Sequence, residues 1–154
     1  MKKIKNNNNI YMAEKVNVKV NNKKIKINKS YVGDLKGKEK KAQIKSIVEK
    51  KERPKTSAKK VKSSYTIRFN NKYGKQLEGM KGGKSKKNIA KVTGIPYKAL
   101  DEVMKRGEGA YFSSGSRPNQ TPQSWGKARM YSYILGGPAR KVDKAITKKY
   151  NVKF

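Results

Sequence analysis

The chain sets 41 Lys and Arg residues against 10 Asp and Glu, a formal net charge of +31. No fold can pair that many cations internally, so most must face outward, and a body so charged repels itself. A length of 154 residues suits one domain of ordinary size. The apolar fraction of 34% lies below the usual ~45–50%, so a small core and some arm or linker are expected. A polyanion relieves the self-repulsion. Nucleic acid is the first candidate partner and an anionic membrane surface the second. Solubility alone would need a far smaller excess of charge.

Cysteine and histidine are absent. That removes disulfides, thiol nucleophiles and the usual zinc ligands. It also removes the commonest general base near neutral pH. The carboxylates are scattered, with no paired-acid motif, so a non-enzymatic protein without cofactors is expected. An enzyme acting on nucleic acid would have to rest on Glu108, Asp101, Asp143 or a metal held by them. No apolar run approaches the ~18–20 residues that span a bilayer, and no signal-peptide core follows the first lysines. The expected location is the cell interior or a particle assembled there.

Residues 1–9 are a low-complexity run expected to lack order. Residues 16–20 and 22–29 alternate apolar and polar side chains on either side of the Asn21–Asn22 pair. A β-hairpin over about residues 11–28 is one reading; an extended basic arm that orders on a partner is the other. Residues 38–51 carry apolar Ala42, Ile44, Ile47 and Val48 among lysines, and Ile44, Ile47 and Val48 make a narrow helical stripe. Asp34 or Gly37 would start this helix and Pro54 end it. Its lysine faces suit a helix lying along phosphates. Residues 53–64 read as an extended basic linker. Tyr65, Ile67 and Phe69 alternate, which fits a short strand or the first turn of a helix ending at Gly74. Residues 79–85 read as a flexible joint. Gly82-Gly83-Lys84-Ser85 imitates the end of a phosphate-binding loop, but the full GxxxxGK(S/T) form needs glycine where Glu78 stands, and that loop is rejected.

In residues 86–107, Ala90, Gly94, Leu100 and Val103 have helix-turn-helix spacing, with Pro96 opening the second helix and Gly107 closing it. Asp101 and Glu102 near the start of that helix would face phosphates unfavourably, so packing is preferred over base reading.

Residues 105–143 differ from the Lys- and Asn-rich remainder. They hold the only Trp and four of the six arginines: Arg106, Arg117, Arg129 and Arg140. Arg offers a planar five-donor fork where Lys offers a point charge, so defined hydrogen-bond geometry is expected. Ala110, Tyr111 and Phe112 form an apolar island, and residues 113–121 a turn-rich loop. Residues 123–135 read as a helix capped by Thr121, with Pro122 first and Trp125, Ala128, Tyr131 or Ser132, and Leu135 on its buried side. Gly136-Gly137-Pro138 stops it, and residues 142–150 form a closing helix with Val142, Ala145 and Ile146 inward. Ser113, Ser114, Ser116, Asn119 and Gln120, with the amides entering the helix, suit a phosphate. Arg106, Arg117, Lys127 and Arg129 could close on it, and Trp125, Tyr111 or Tyr131 could stack a base. Each has a structural alternative. Trp125 at helical spacing fits a core, and Arg106 and Arg129 could pair with Glu108 and Asp143.

The run RGEGAYFSSGSRPNQTPQSWGKARMYSYILGG resembles a signature of an uncharacterised domain family of giant DNA viruses and large tailed phages. Upstream, DLKGKEKKAQIKSIVEKKERPKT and KSSYTIRFNNKYG are similar to its viral members, and the likeness covers roughly residues 33–145. The resemblance implies a viral origin and a virion or DNA-associated role, in the virion or in the cytoplasm, nucleus or viral factory of a host cell. It supplies no catalytic residues. Glu108 stands where that family's pattern has a bulky apolar residue, which argues against a buried role for position 108.

A mainly α fold is expected, with residues 1–29 as a basic arm or β-hairpin, 30–64 as a basic helix and linker, and 65–154 as a helical domain containing the helix-turn-helix-like pair. The expected function is condensation or packaging of nucleic acid through its phosphates, with DNA favoured over RNA. A structural virion component whose basic arm meets acidic virion or capsid proteins is the alternative.

Overall fold

The computed structural model describes residues 14–20 and 22–154. Among the described residues the fold is mainly α, with seven α-helices and one two-stranded hairpin. The chain packs as two units that interleave in sequence. Unit 1 comprises residues up to Lys60 together with Gly109–Pro122; unit 2 comprises Val61–Glu108 and Gln123–Phe154. This division cuts across the sequence segments 30–64 and 65–154, because residues 109–122 pack with the N-terminal part.

In unit 1, β1 (Lys15–Val20) pairs antiparallel with β2 (Lys23–Asn28), in register from Lys15↔Asn28 to Val20↔Lys23. Asn22, in the turn, takes φ +65°, a left-handed conformation that asparagine tolerates. The part of the expected hairpin before residue 14, and the low-complexity run at 1–9, lie outside the described residues. The Asn28 carboxamide accepts from the Ser30 amide at 2.9 Å and caps a 3-10 turn, Lys29–Tyr31. Helix α1 (Gly37–Val48) follows. Val18, Ile27, Val32 and Ile47 form the buried cluster of this unit.

The α1 stripe follows the spacing, with Ile47 buried and Ile44 and Val48 half-buried; Ala42, outside the stripe, is exposed, and Gln43 and Ser46 are buried beside it. Gln43 can go inside because its amide nitrogen donates to the carbonyls of Tyr31 (2.9 Å) and Ser116 (3.2 Å). The helix also ends at Val48, well before Pro54. Lys50, at φ +56°, turns the chain out and donates its amide to Ile47. Residues 51–60 then run without regular structure, as the linker composition predicts.

In unit 2, α2 (Ser64–Glu78) takes the helical alternative at 65–73, not the strand, and runs through Gly74 instead of ending there. Alternation of three residues is the weaker signal. Tyr65, Phe69, Tyr73 and Leu77 recur every fourth position, and all four lie in or against the main core, while Ile67 is exposed. The Ser63 hydroxyl accepts from the Tyr65 amide at 3.1 Å and caps the helix. The joint at 79–85 is tied down, since the Asn88 amide donates to the carbonyls of Lys81 and Gly83, both at 2.9 Å. Ser85 caps α3 (Lys86–Thr93), and Gly94 ends it at φ +76°.

Helix α4 (Tyr97–Ser113) does not stop at Gly107. Gly107 and Gly126 lie where α4 meets α5 (Pro122–Ile134). A Cβ on Gly107 would stand 2.7 Å from the Gly126 Cα, so these glycines permit close backbone approach instead of ending a helix. Helix α5 is also less one-sided than expected. Met130, Tyr131, Ser132, Tyr133 and Ile134 are all buried, whereas Trp125, Ala128 and Leu135 are half-buried. The closing helix is two short ones, α6 (Pro138–Val142) and α7 (Lys144–Lys149), broken at Asp143. Val142 and Ala145 face outward, contrary to the stripe reading, and Ile146 and Val152 fill the core.

Candidate nucleic-acid interface

The turn-rich loop of unit 1 is built around the Tyr111 phenol at the end of α4. That side chain is fully buried. Its oxygen accepts from the Arg53 amide at 2.6 Å and donates to the Gln120 carbonyl at 3.0 Å. One hydroxyl thus ties the basic linker to the loop. Asn119, at φ +61°, adds a second tie. Its oxygen accepts from the Thr56 amide at 2.8 Å, and its nitrogen donates to the carbonyls of Thr56 and Ala58 at 3.3 and 2.6 Å. Gly115, at φ +104°, lies so close to the Tyr31 ring that a Cβ would stand 2.9 Å from it. Glu39 of α1 accepts from both the Ser57 amide and hydroxyl at 2.6 Å, and these bonds hold its carboxyl below the usual range.

The arginines divide into two groups. Arg53 is buried without a carboxylate. Its guanidinium donates to the carbonyls of Ser46 and Lys51 and lies over the Tyr111 ring, 4.6 Å from the centroid. Its Nε and Nη1 have no hydrogen-bond partner among the described residues. Burial lowers its pKa, opposed by Tyr111 and Tyr31. Burial raises the pKa of Tyr31, opposed by Arg117 and Arg53. In unit 2, Asp143 is fully buried and receives Arg129 at 2.7 and 2.8 Å and Arg106 at 3.1 Å. Arg140 donates to the Tyr133 and Ile134 carbonyls at the end of α5. Arg117 and Arg68 are the two that project from the surface and join no ion pair among the described residues. The defined geometry expected of Arg is therefore largely turned inward, toward this chain's own acceptors.

The sequence-selected residues fall into both units. In unit 1, Ser113, Ser114 and Arg117 are exposed, Ser116 and Gln120 are buried, and Asn119 is half-buried. Ser116 donates its hydroxyl to the Arg117 carbonyl at 3.0 Å. Ser113 and Ser114 line a groove of about 860 Å³ with Lys15, Lys26 and Lys50 on its rim and Ile25 and Ile47 among its apolar walls. In unit 2, Lys127 is exposed, Trp125 is half-buried, and Arg106 and Arg129 hold Asp143. Glu108 is half-buried, within reach of Gly126. Asp101 pairs with Lys86 and Lys105, and Glu102 with Lys149 and the Tyr150 hydroxyl. Hydrogen bonds from Lys105 and Lys86 hold the Asp101 carboxyl below its usual range, and Lys149 and Tyr150 do the same for Glu102.

Sequence reasoning missed a second cleft, in unit 2. It encloses about 420 Å³ between Arg68, Lys72 and Tyr73 of α2 and Ile95, Arg140 and Phe154. The signal was the spacing of Arg68 and Lys72, four apart on one helical face. Leaving residues 65–73 open between a strand and a helix hid it.

Seven basic side chains form ion pairs among the described residues: Lys29, Lys51, Lys86, Lys105, Arg106, Arg129 and Lys149. With 41 basic and 10 acidic residues in the chain, most cations cannot have a counter-charge of their own. On α1, Lys38, Lys40, Lys41 and Lys45 are exposed and join no ion pair among the described residues. Among the described residues, no three of His, Cys, Asp and Glu stand together as metal ligands, and no helix is long and apolar enough to cross a membrane.

The family model for DUF5824, a family of unknown function, matches residues 31–151. The chain belongs to this family. The DUF5824 match begins at Tyr31, whose ring packs on Gly115, and includes both Arg53 and Asp143. No curated protein and no solved structure matches the chain.

Proposed function

We propose that this DUF5824 protein is a non-enzymatic nucleic-acid-binding protein that condenses or packages DNA, mainly through its phosphates. The supporting observation is the surplus of exposed cations outside any ion pair, of which the lysine face of α1 is the most regular. Such a surface attracts a polyphosphate chain without reading its bases, because each neutralised phosphate releases condensed counterions. Arg117, exposed beside the tied loop, adds one planar donor set. A viral origin and a place in a virion rest on the resemblance of the signature run.

The test is a titration of duplex DNA at several salt concentrations. The logarithm of the affinity should fall linearly with the logarithm of salt, with a slope of about −0.9 for each phosphate neutralised. A flat dependence would sink the proposal. The lysine-rimmed groove of unit 1, with its apolar walls, favours a second reading, a virion component that docks an acidic segment of another protein. Copurification with DNA-free shells would support that reading over the first.

A further inference from the structure

The cleft of unit 2 differs from the other cationic surfaces in combining charge with an aromatic and apolar wall. Arg68 and Lys72 stand one helical turn apart on α2, both exposed and outside every ion pair among the described residues. No acidic side chain lines the cleft. Its opposite wall is fixed. The Arg140 guanidinium is held by the Tyr133 carbonyl at 3.0 Å and the Ile134 carbonyl at 2.6 Å, and lies 3.5 Å from the centroid of the Phe154 ring. Tyr133 meets that ring edge-on, with centroids 5.3 Å apart. Phe154 nevertheless remains 56% exposed. A large aromatic left half in solvent, yet clamped by a guanidinium and a buried tyrosine, is a preorganised platform.

Resting on the nucleic-acid reading above, we infer that this cleft takes an unpaired nucleotide of a single strand, its phosphate on Arg68 and Lys72 and its base against Phe154, Ile95 and Leu135. Charge complementarity selects the anion, since three cationic side chains and no acidic one line the space. The apolar wall selects an unpaired base. Bases in a duplex hide their faces in the stack, whereas a single strand offers a π-face to an aromatic or guanidinium plane. A volume of about 420 Å³ falls in the range of ligand-sized sites, roughly 300–1,000 Å³. Tyr111 and Tyr131 cannot serve as such platforms. Tyr111 is fully buried beneath Arg53, and Tyr131 is buried and stacked on Phe69 with centroids 4.2 Å apart.

The experiment uses the full chain with a fluorescent oligothymidylate and a blunt duplex of equal length, titrated at one fixed salt concentration. Three variants accompany wild type: Phe154→Ala, Arg68→Glu with Lys72→Glu, and Lys40→Glu with Lys41→Glu on α1 as a charge-matched control. Phe154→Leu, which keeps apolar bulk and removes the ring, guards against loss of fold in the alanine variant, with folding followed by circular dichroism. The expected result is that both cleft variants lose about tenfold or more in single-strand affinity and change duplex affinity by less than about threefold. The α1 reversal should weaken both polymers alike. Equal losses for both polymers in the cleft variants, or single-strand binding unchanged by Phe154→Leu and Phe154→Ala, would overturn the inference while leaving general DNA binding intact. Wild type that binds neither polymer would overturn both.

Discussion

Unit 1 buries an arginine and unit 2 buries a carboxylate that two arginines hold, and they solve the problem of an internal charge differently. In unit 1, Arg53 meets only backbone carbonyls and the face of Tyr111. In unit 2, Arg129 and Arg106 share the fully buried carboxylate of Asp143. The contrast follows from composition. With 10 acids for 41 bases, a carboxylate in the core is scarce, and the fold uses one where two guanidiniums converge. Elsewhere neutral acceptors and a phenol ring do the same task at lower Coulombic strength. The lesson is that a cation-rich protein can stay ordered without matching charges, provided its buried guanidiniums find oxygen atoms of its own backbone.

The comparison can be broken by substitution. Asp143→Ala should be the most damaging change, costing about 3–5 kcal/mol in urea-induced unfolding, because it leaves Arg129 partly buried without a counter-charge. Tyr111→Phe should cost less, about 1–3 kcal/mol, by orphaning the Arg53 amide and the Gln120 carbonyl inside unit 1. The folded variant should bind duplex DNA as wild type does, since the phenol faces no solvent. Arg53→Met should cost under about 1 kcal/mol, because an apolar side chain of similar length removes a buried cation that lacks an acid. An Arg53→Met penalty equal to that of Asp143→Ala would erase the distinction between the two units.

The pH dependence sharpens the comparison with a smaller effect. Asp101 and Glu102 of unit 2 have depressed pKa values in the folded state. Their contribution is therefore present above the unfolded carboxylate values and is lost as pH falls through the folded ones. Both lie half-buried at the surface beside lysines that reach solvent, so the change should be modest. Melting temperatures at about pH 5 and about pH 3 should differ by a few degrees. Lys149→Met, which removes one partner of Glu102, should reduce that difference.

Much of the helical skeleton is legible in the amino-acid order alone. Gly94 and Pro138 act locally, through a left-handed residue and a missing donor, so their effects can be read from neighbours in the chain. The misreadings have a common source. Gly107 reads as a helix end because glycine usually breaks helices, but its role depends on Gly126, nineteen positions away on another helix. Gln43 reads as an outward residue because its partners, Tyr31 and Ser116, are brought to it only by folding. The candidate site suffers in the same way. Asn119 and Gln120 have the chemistry of phosphate ligands, yet Asn119 holds residues 56–58 and the Gln120 carbonyl holds Tyr111.

By itself the sequence determined that the surface is strongly cationic, that the fold is mainly helical, and that neither cysteine nor histidine takes part. Those properties depend on composition and on periodicities of a few residues. Tertiary structure alone decided which arginines turn inward and which remain outside. A guanidinium goes wherever oxygen acceptors converge, and the carbonyls and carboxylate that receive Arg53, Arg129 and Arg140 come together only when separate segments pack.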